Sequence, residues 1–323
     1  MYTTLAKVEQ EYDSNHAEPL KLSSHYLISR LWLDRAFESV ESDSMSVNVS
    51  LGANYEDSRT MVNLYGVMPD AAWTGQRNFN QQPAAGRIEE YVRTIITQAR
   101  YSRSIAKTEK EKTAATVLAK KQITKLLREV TGPWPETFEY RGQTLTPSEF
   151  TAKYYKSLSK PVIELAVEHN PSFSPVRWEP RDGLTRYQAG IDYVEDVARQ
   201  AIDQGQAVYL TYEHRNEYMH GAQGILSQNA VNGPAIGKPL SRTIRKMFGQ
   251  ANAGHAVLVV GYELDPKTGR VKKWKVKNTW GPAAGDKGFY HMYADYFREF
   301  ASSIGFASDP AIKLPETGRP LRY

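Results

Sequence analysis

Along the first half of the chain, apolar residues recur at the three- and four-residue intervals that place them on one side of a helix. Tyr2, Leu5, Val8 and Tyr12 share such a face, so Tyr2 to Tyr12 reads as a helix already under way at Met1. Ser23 or Ser24 is placed to cap a second helix from His25 to about Val40, with Tyr26, Leu27, Leu31, Leu33 and Phe37 turned inward. A short helix around Tyr55 to Leu64 is closed by Tyr65-Gly66-Val67-Met68-Pro69, where Gly66 suits a helix end and Pro69 stops its continuation. Between Gly86 and Val130 the pattern predicts two helices joined near Lys107 to Lys112. The stripe of the first is Ile88, Tyr91, Val92, Ile95, Ile96 and Ala99, and that of the second Ala115, Leu118, Ile123, Leu126 and Leu127. Gly132-Pro133-Trp134-Pro135 breaks the run, and Thr146-Pro147-Ser148-Glu149 opens another helix with a cap, a proline at its first position and a glutamate three residues after the cap.

Beyond Pro171 the texture changes. Ile191 to Ile202 reads as one more helix, and four strands follow: Ala207 to Tyr212, His255 to Glu263, Val271 to Asn278 and Gly288 to Tyr293. Asp265-Pro266-Lys267-Thr268-Gly269 joins the second and third as a hairpin turn. Helices first and an antiparallel sheet afterwards predict an α+β fold with two lobes. Within one unit spanning 1–323, the expected parts are a helical lobe over 1–85, a helical insertion over 86–155, a sheet lobe over 190–300 and a tail over 301–323.

Composition narrows the function classes. Of the 323 residues 41% are hydrophobic, yet no run approaches the ~18 apolar residues that would span a bilayer, so no membrane partner is expected. Lys and Arg number 41 against 36 Asp and Glu. The basic clusters at Lys120-Lys121, Lys125 and Arg128, and at Arg270 to Lys277, read as solvated faces, and nucleic acid is not the expected partner. No leader sequence is visible after Met1. There is no cysteine, which excludes disulfides, thiolate metal sites and a thiol nucleophile within these 323 residues. His214 and His220, with Glu213 and Glu217 nearby, lack a recognised metal-ligand spacing; they, like His16, His25, His169 and His291, read as structural, and neither metal nor cofactor is expected.

Gly254-His255-Ala256-Val257 followed by Trp274-Lys275-Val276-Lys277-Asn278-Thr279-Trp280-Gly281 is the most informative stretch. A histidine opening one strand and an asparagine closing its hairpin partner can meet at one edge of the sheet. The Asn amide oxygen would accept one imidazole N–H, fix the tautomer and leave the other nitrogen for proton transfer, with Trp280 covering the bond. Taken singly, a histidine in an apolar strand is more often a packed core residue than a catalyst, and an Asn-Thr-Trp-Gly turn is more often only a turn.

These two segments, with Gly285-Asp286-Lys287-Gly288-Phe289-Tyr290, resemble the His and Asn blocks of papain-like cysteine peptidases. Tyr65 to Pro69, the helical insertion, Pro135-Glu136-Thr137-Phe138, Thr146 to Phe150 and Gly205-Gln206-Ala207-Val208 resemble the bleomycin hydrolase and aminopeptidase C branch, from about residue 2 to residue 300. The resemblance implies that His255 is the general base and acid, that Asn278 orients it, and that the substrate is a peptide. It places the Cys-Trp pair that opens the helix at Tyr2 just ahead of Met1, so the chain as written is expected to be inactive alone. An incomplete chain, a cysteine on a separate chain, a non-catalytic peptide-binding homologue, and Thr3 or Thr4 as a poor substitute nucleophile are the four explanations. Leu51-Gly52-Ala53-Asn54 occupies the place of the substrate-pairing strand, so Gly52 and Ala53 are candidate substrate contacts, although Gly52 can equally serve a turn. Members of the branch form hexameric cages with a C-terminal arm in the active site. Leu314 to Tyr323 does not resemble that arm, which leaves a homo-oligomer and exopeptidase action open. The family pattern implies a cytoplasmic location, with secretion open.

Overall fold

A computed structural model describes residues 2–10, 20–42, 47, 49–50, 55–81, 83–155, 160–169, 173–178, 184–229, 238–249 and 254–317. The chain divides into two compact units, residues 12–156 and residues 2–11 with 157–323.

The first unit is helical. α1, Tyr2–Gln10, belongs to the other unit; here Ser23 accepts the Tyr26 backbone N–H and starts α2, Ser24–Glu41. Leu27, Leu31, Trp32, Ala36 and Val40 of α2 are buried. Leu33 and Phe37, expected to point inward, are only half-buried, and Trp32 takes the inner position, its indole N–H donating to the Val49 carbonyl at 3.0 Å. α3, Tyr55–Tyr65, stops at Gly66, whose φ of +69° and approach to the Pro147 backbone leave no room for a Cβ. α4, Ala84–Ile105, and α5, Glu109–Thr131, pack on each other and on α2. The break between them ends at Thr108 instead of reaching Lys112, because Thr108 and Glu111 form a reciprocal capping box that begins α5 early. Ile88, Val92, Ile96, Ala99, Ile123 and Leu127 line the interior. Tyr91 and Leu118, one position off those stripes, are 64% and 57% exposed. β1, Phe138–Tyr140, and β2, Gln143–Leu145, form a hairpin absent from the sequence expectation, turned by Arg141 and Gly142, both at positive φ. Thr146 and Glu149 form a second capping box at the start of α6, Pro147–Tyr154.

The second unit is built on a ten-stranded sheet. Its strands are β3, Val162–Glu168; β4, Val176–Arg177; β5, Leu184–Gly190; β6, Val208–Tyr212; β7, Met219–His220; β8, Ile225–Leu226; β9, His255–Leu264; β10, Val271–Lys277; β11, Phe289–Tyr293; and β12, Ala301–Ala307. They lie in the order β4-β5-β3-β12-β6-β9-β10-β11-β8-β7. The four expected strands are β6, β9, β10 and β11, which are consecutive neighbours. The sheet is not purely antiparallel, since β3 pairs with β5 and β11 with β8 in parallel. It also runs past residue 300: α9, Ala294–Phe300, leads directly into β12, which lies between β3 and β6. Among the described residues the unit also holds the α-helices α7, Ile191–Asp203, and α8, Arg242–Met247.

Val257, Val259, Leu210, Trp274, Val276, Phe297, Phe300, Ile304 and Phe306 belong to one buried cluster. α1 packs against β6 and β9, held by Thr3 Oγ1 donating to the Ala256 carbonyl at 3.0 Å and Lys7 Nζ donating to the Ala207 carbonyl at 2.7 Å. Removing a fully buried aromatic from this core leaves a cavity, so Phe306→Ala is expected to cost about 3–5 kcal/mol, whereas Leu118→Ala should stay within about 0.5 kcal/mol. Chemical denaturation of the two variants checks this; equal effects would contradict the placement of β12.

Candidate active site

The site forms where β6, β9 and β10 end together. Tyr212, last in β6, pairs with His255, first in β9, and the Gly254 N–H donates to the Tyr212 carbonyl at 3.0 Å. β9 and β10 are joined by a turn in which the Asp265 carboxylate accepts the Lys267 and Thr268 N–H groups and Gly269 takes a φ of +66°. The register that follows sets Lys277 opposite Leu258 and brings Asn278 beside His255.

His255 Nε2 lies 2.8 Å from Asn278 Oδ1. The same oxygen accepts the Thr279 N–H at 2.7 Å, which fixes the amide with its oxygen toward the imidazole. Nε2 is therefore the donor and carries the proton, and Nδ1 keeps its lone pair. Asn278 is only 8% exposed, and its backbone N–H donates to the Gly288 carbonyl at 2.9 Å. Trp280 lies flat over His255, with ring centroids 4.8 Å apart and planes 23° from parallel, and is itself 45% exposed. Tyr290 supports the indole edge-on at 5.9 Å.

Burial is the main influence on the His255 pKa and pushes it below the ordinary 6.5; the bond to Asn278 works in the opposite direction, and the neighbouring His214 adds to the lowering. At neutral pH the ring is thus an uncharged base of fixed tautomer. Such an arrangement can accept a proton at Nδ1 from a nucleophile and return it to a leaving group.

His214 is the residue that sequence reasoning missed. It stands two residues beyond the end of β6, with its ring edge-on to His255 at 5.5 Å and to Trp280 at 5.1 Å. The signal available was its position just past a strand that pairs with the His255 strand, and nothing in its local motif distinguishes it. Next to His214 in the chain, Glu213 is 1% exposed, its backbone N–H donates to the Phe300 carbonyl at 2.9 Å, and its carboxylate is paired with Arg245 at 2.9 Å and with Arg215 and Arg242 each at 3.4 Å.

Of the other candidates, Gly52 and Ala53 lie outside the described residues, as does His16. Thr3 and Thr4 are both buried within α1, and the Thr3 hydroxyl is engaged by Ala256. His220 accepts the Gln223 N–H, His25 bonds the Arg77 carbonyl, His169 sits against the Ala301 carbonyl and Arg242, and His291 faces Asp286 at 3.9 Å.

Set beside known proteins, residues 181–309 match the model of the Peptidase C1-like family. Aminopeptidase W of Lactobacillus delbrueckii subsp. lactis is 24% identical over 275 residues, covering 78% of this chain and 62% of the relative. Aminopeptidase G of the same organism is 22% identical over 277 residues with the same coverage, and the mitochondrial cysteine proteinase 1 of Saccharomyces cerevisiae is 25% identical over 168 residues, 49% of this chain and 35% of the relative. The chain thus spans about three fifths of the length of the aminopeptidases it matches. The crystal structure of PepW from Lactobacillus rhamnosis HN001 superimposes with a TM-score of 0.73 at 18% identity, over 94% of this chain and 76% of that one. The fold is that of the papain-like cysteine peptidases. In sequence, the chain is similar to the Peptidase C1-like family over residues 181–309 and to aminopeptidases W and G over 78% of its length.

Burial holds His255, His214 and His169 below the usual imidazole value. As pH falls through about 6.5 the unfolded chain binds protons that the folded chain refuses, so stability present above that pH is lost as the pH falls toward the folded-state midpoints. The urea midpoint is therefore expected to be lower at about pH 5.5 than at about pH 7.5, and His255→Gln to narrow the difference. A pH-independent midpoint would contradict the buried neutral rings.

Proposed function

We propose that this chain carries the base-and-acid half of a cysteine peptidase of the aminopeptidase C branch, acting on peptides. The observation that carries the reading is the 2.8 Å bond from His255 Nε2 to Asn278 Oδ1 beneath Trp280, which leaves Nδ1, with no hydrogen-bond partner among the described residues, as the basic atom of a fixed ring. The aminopeptidase names of the relatives support the substrate class. The 323 residues contain no cysteine, so the thiol has to come from outside them.

In the proposed reaction, Nδ1 of His255 takes the thiol proton and the thiolate attacks the peptide carbonyl carbon. The tetrahedral oxyanion collapses to a thioester, and the imidazolium gives its proton to the departing amine. Water then attacks the thioester, again losing a proton to Nδ1, and releases the acid and the thiol. Asn278 acts throughout by holding Nε2–H in place.

A second reading, a non-catalytic peptide-binding homologue, is favoured by the complete absence of cysteine from the chain. The two separate in one comparison, using this chain and a form extended upstream of Tyr2 in its own reading frame to include a cysteine-bearing segment. Only the extended form is expected to hydrolyse aminoacyl-coumarins, with activity abolished by a thiol alkylator and reduced about 10²–10⁴-fold by His255→Ala. A folded extended form that is inert across a broad peptide panel would establish the binding reading instead.

A further inference from the structure

We propose that His214 is a positioning residue of this site, an imidazole whose edge holds Trp280 flat on His255 and which thereby governs the protonation of His255. The inference rests on the reading of His255 as the base. Three rings form a closed set: Trp280 stacks on His255 at 4.8 Å, and His214 meets both, at 5.5 Å from His255 and 72° to its plane, and at 5.1 Å from Trp280 and 88° to its plane. Edge-to-face contact of this kind is directional, so His214 fixes the tilt of the indole as well as its distance. Trp280 needs such a constraint because it lies beyond the end of β10 and is the most exposed member of the set.

His214 is itself immobilised at both nitrogens. Nε2 lies 3.0 Å from Asn216 Oδ1 and so donates, and Nδ1 lies 3.1 Å from the Tyr212 hydroxyl and so accepts. That pairing satisfies the neutral ring. Protonation at Nδ1 would displace the Tyr212 donor, and Tyr212 is buried with its ring packed edge-on to both His214 and His255. Among the described residues, the groups facing the pair are Tyr212, Asn216 and Glu217 beside His214, and Asn278 and Trp280 from the segment after β10. Glu217 is the anion that acts on His214, favouring its protonated form, and burial outweighs it. The neutral His214 ring therefore adds cover to His255 at neutral pH, and a proton on it repels a second proton on His255.

Two substitutions separate ring contact from hydrogen bonding. His214→Gln retains polar partners for Asn216 and Tyr212 and removes the ring; His214→Phe retains the ring and removes the titrating group. In histidine-labelled protein, NMR reads both the upfield ring-current displacement of the His255 C–H resonances caused by the indole and the His255 titration midpoint, with His255→Gln giving the assignment. In His214→Gln the displacement is expected to be lost and the midpoint to move up toward 6.5; in His214→Phe the displacement is retained and the His255 curve loses the inflection contributed by its neighbour. Wild-type shifts and midpoint in folded His214→Gln would overturn the proposal, as would loss of the displacement in folded His214→Phe. Neither readout needs peptidase activity, so an inert extended protein would count against the peptidase reading and leave this result standing. If the extended protein is active, the acid limb of its kcat/KM profile is expected to move with the His255 midpoint in His214→Gln.

Discussion

Everything at the candidate site depends on the register of three adjacent strands, β6, β9 and β10. Side chains alternate along a strand, so a slip of one residue would carry His255 to the opposite face and away from Asn278. What forbids the slip is apolar burial: Leu210, Val257, Val259, Trp274 and Val276 meet in a single core cluster only in the observed pairing. The 2.8 Å approach of imidazole and amide is thus a product of core packing several residues away. α1 adds a second constraint from the helical side, because Thr3 and Lys7 bond to carbonyls of β9 and of the residue preceding β6.

The two imidazoles show how one residue type acquires different roles from its partners. In each, an asparagine side-chain oxygen accepts from Nε2–H and so selects the same tautomer. They differ at Nδ1. In His214 the Tyr212 hydroxyl occupies it, whereas among the described residues no hydrogen-bond partner meets it in His255. Burial outweighs the hydrogen bonds in both rings, and both stay neutral at neutral pH.

The sequence made legible those features that are written locally. Ser23, the capping pairs Thr108 with Glu111 and Thr146 with Glu149, and Gly66 lie within a few residues of the turns they control, so the helix start at Thr146 and the helix end at Gly66 follow from the sequence alone. The His255 and Asn278 pairing is legible because a six-residue turn, 265–270, joins its strands and proximity follows from the hairpin. β3, β5 and β12 were not readable, since each is stabilised by partners distant in the chain and Ala301-Ser302-Ser303-Ile304-Gly305-Phe306-Ala307 has no clean alternation of its own. His214 escaped for the same reason: its significance comes from β6 lying beside β9, which no local pattern encodes. Tyr91 and Leu118 were misassigned because a stripe one residue too wide still fits a helical period, and only packing decides which edge is wet.

The carboxylate of Glu213 has a consequence for how the molecule breathes. α8 has six residues, far too few to persist as a helix by its own hydrogen bonds, and Leu240, Met247 and Phe248 around it stay exposed. Its attachment is ionic: Arg245 joins Glu213 and Glu299, and Arg242 joins Glu213 and the His169 ring. Detaching α8 would leave the dry Glu213 carboxylate, one residue before His214, with Arg215 at 3.4 Å as its remaining ion-pair partner, a cost above that of fraying an ordinary surface turn. The opening of this segment is therefore coupled to the end of β6, and a short, ionically held helix belongs to the same cooperative block as the histidine pair.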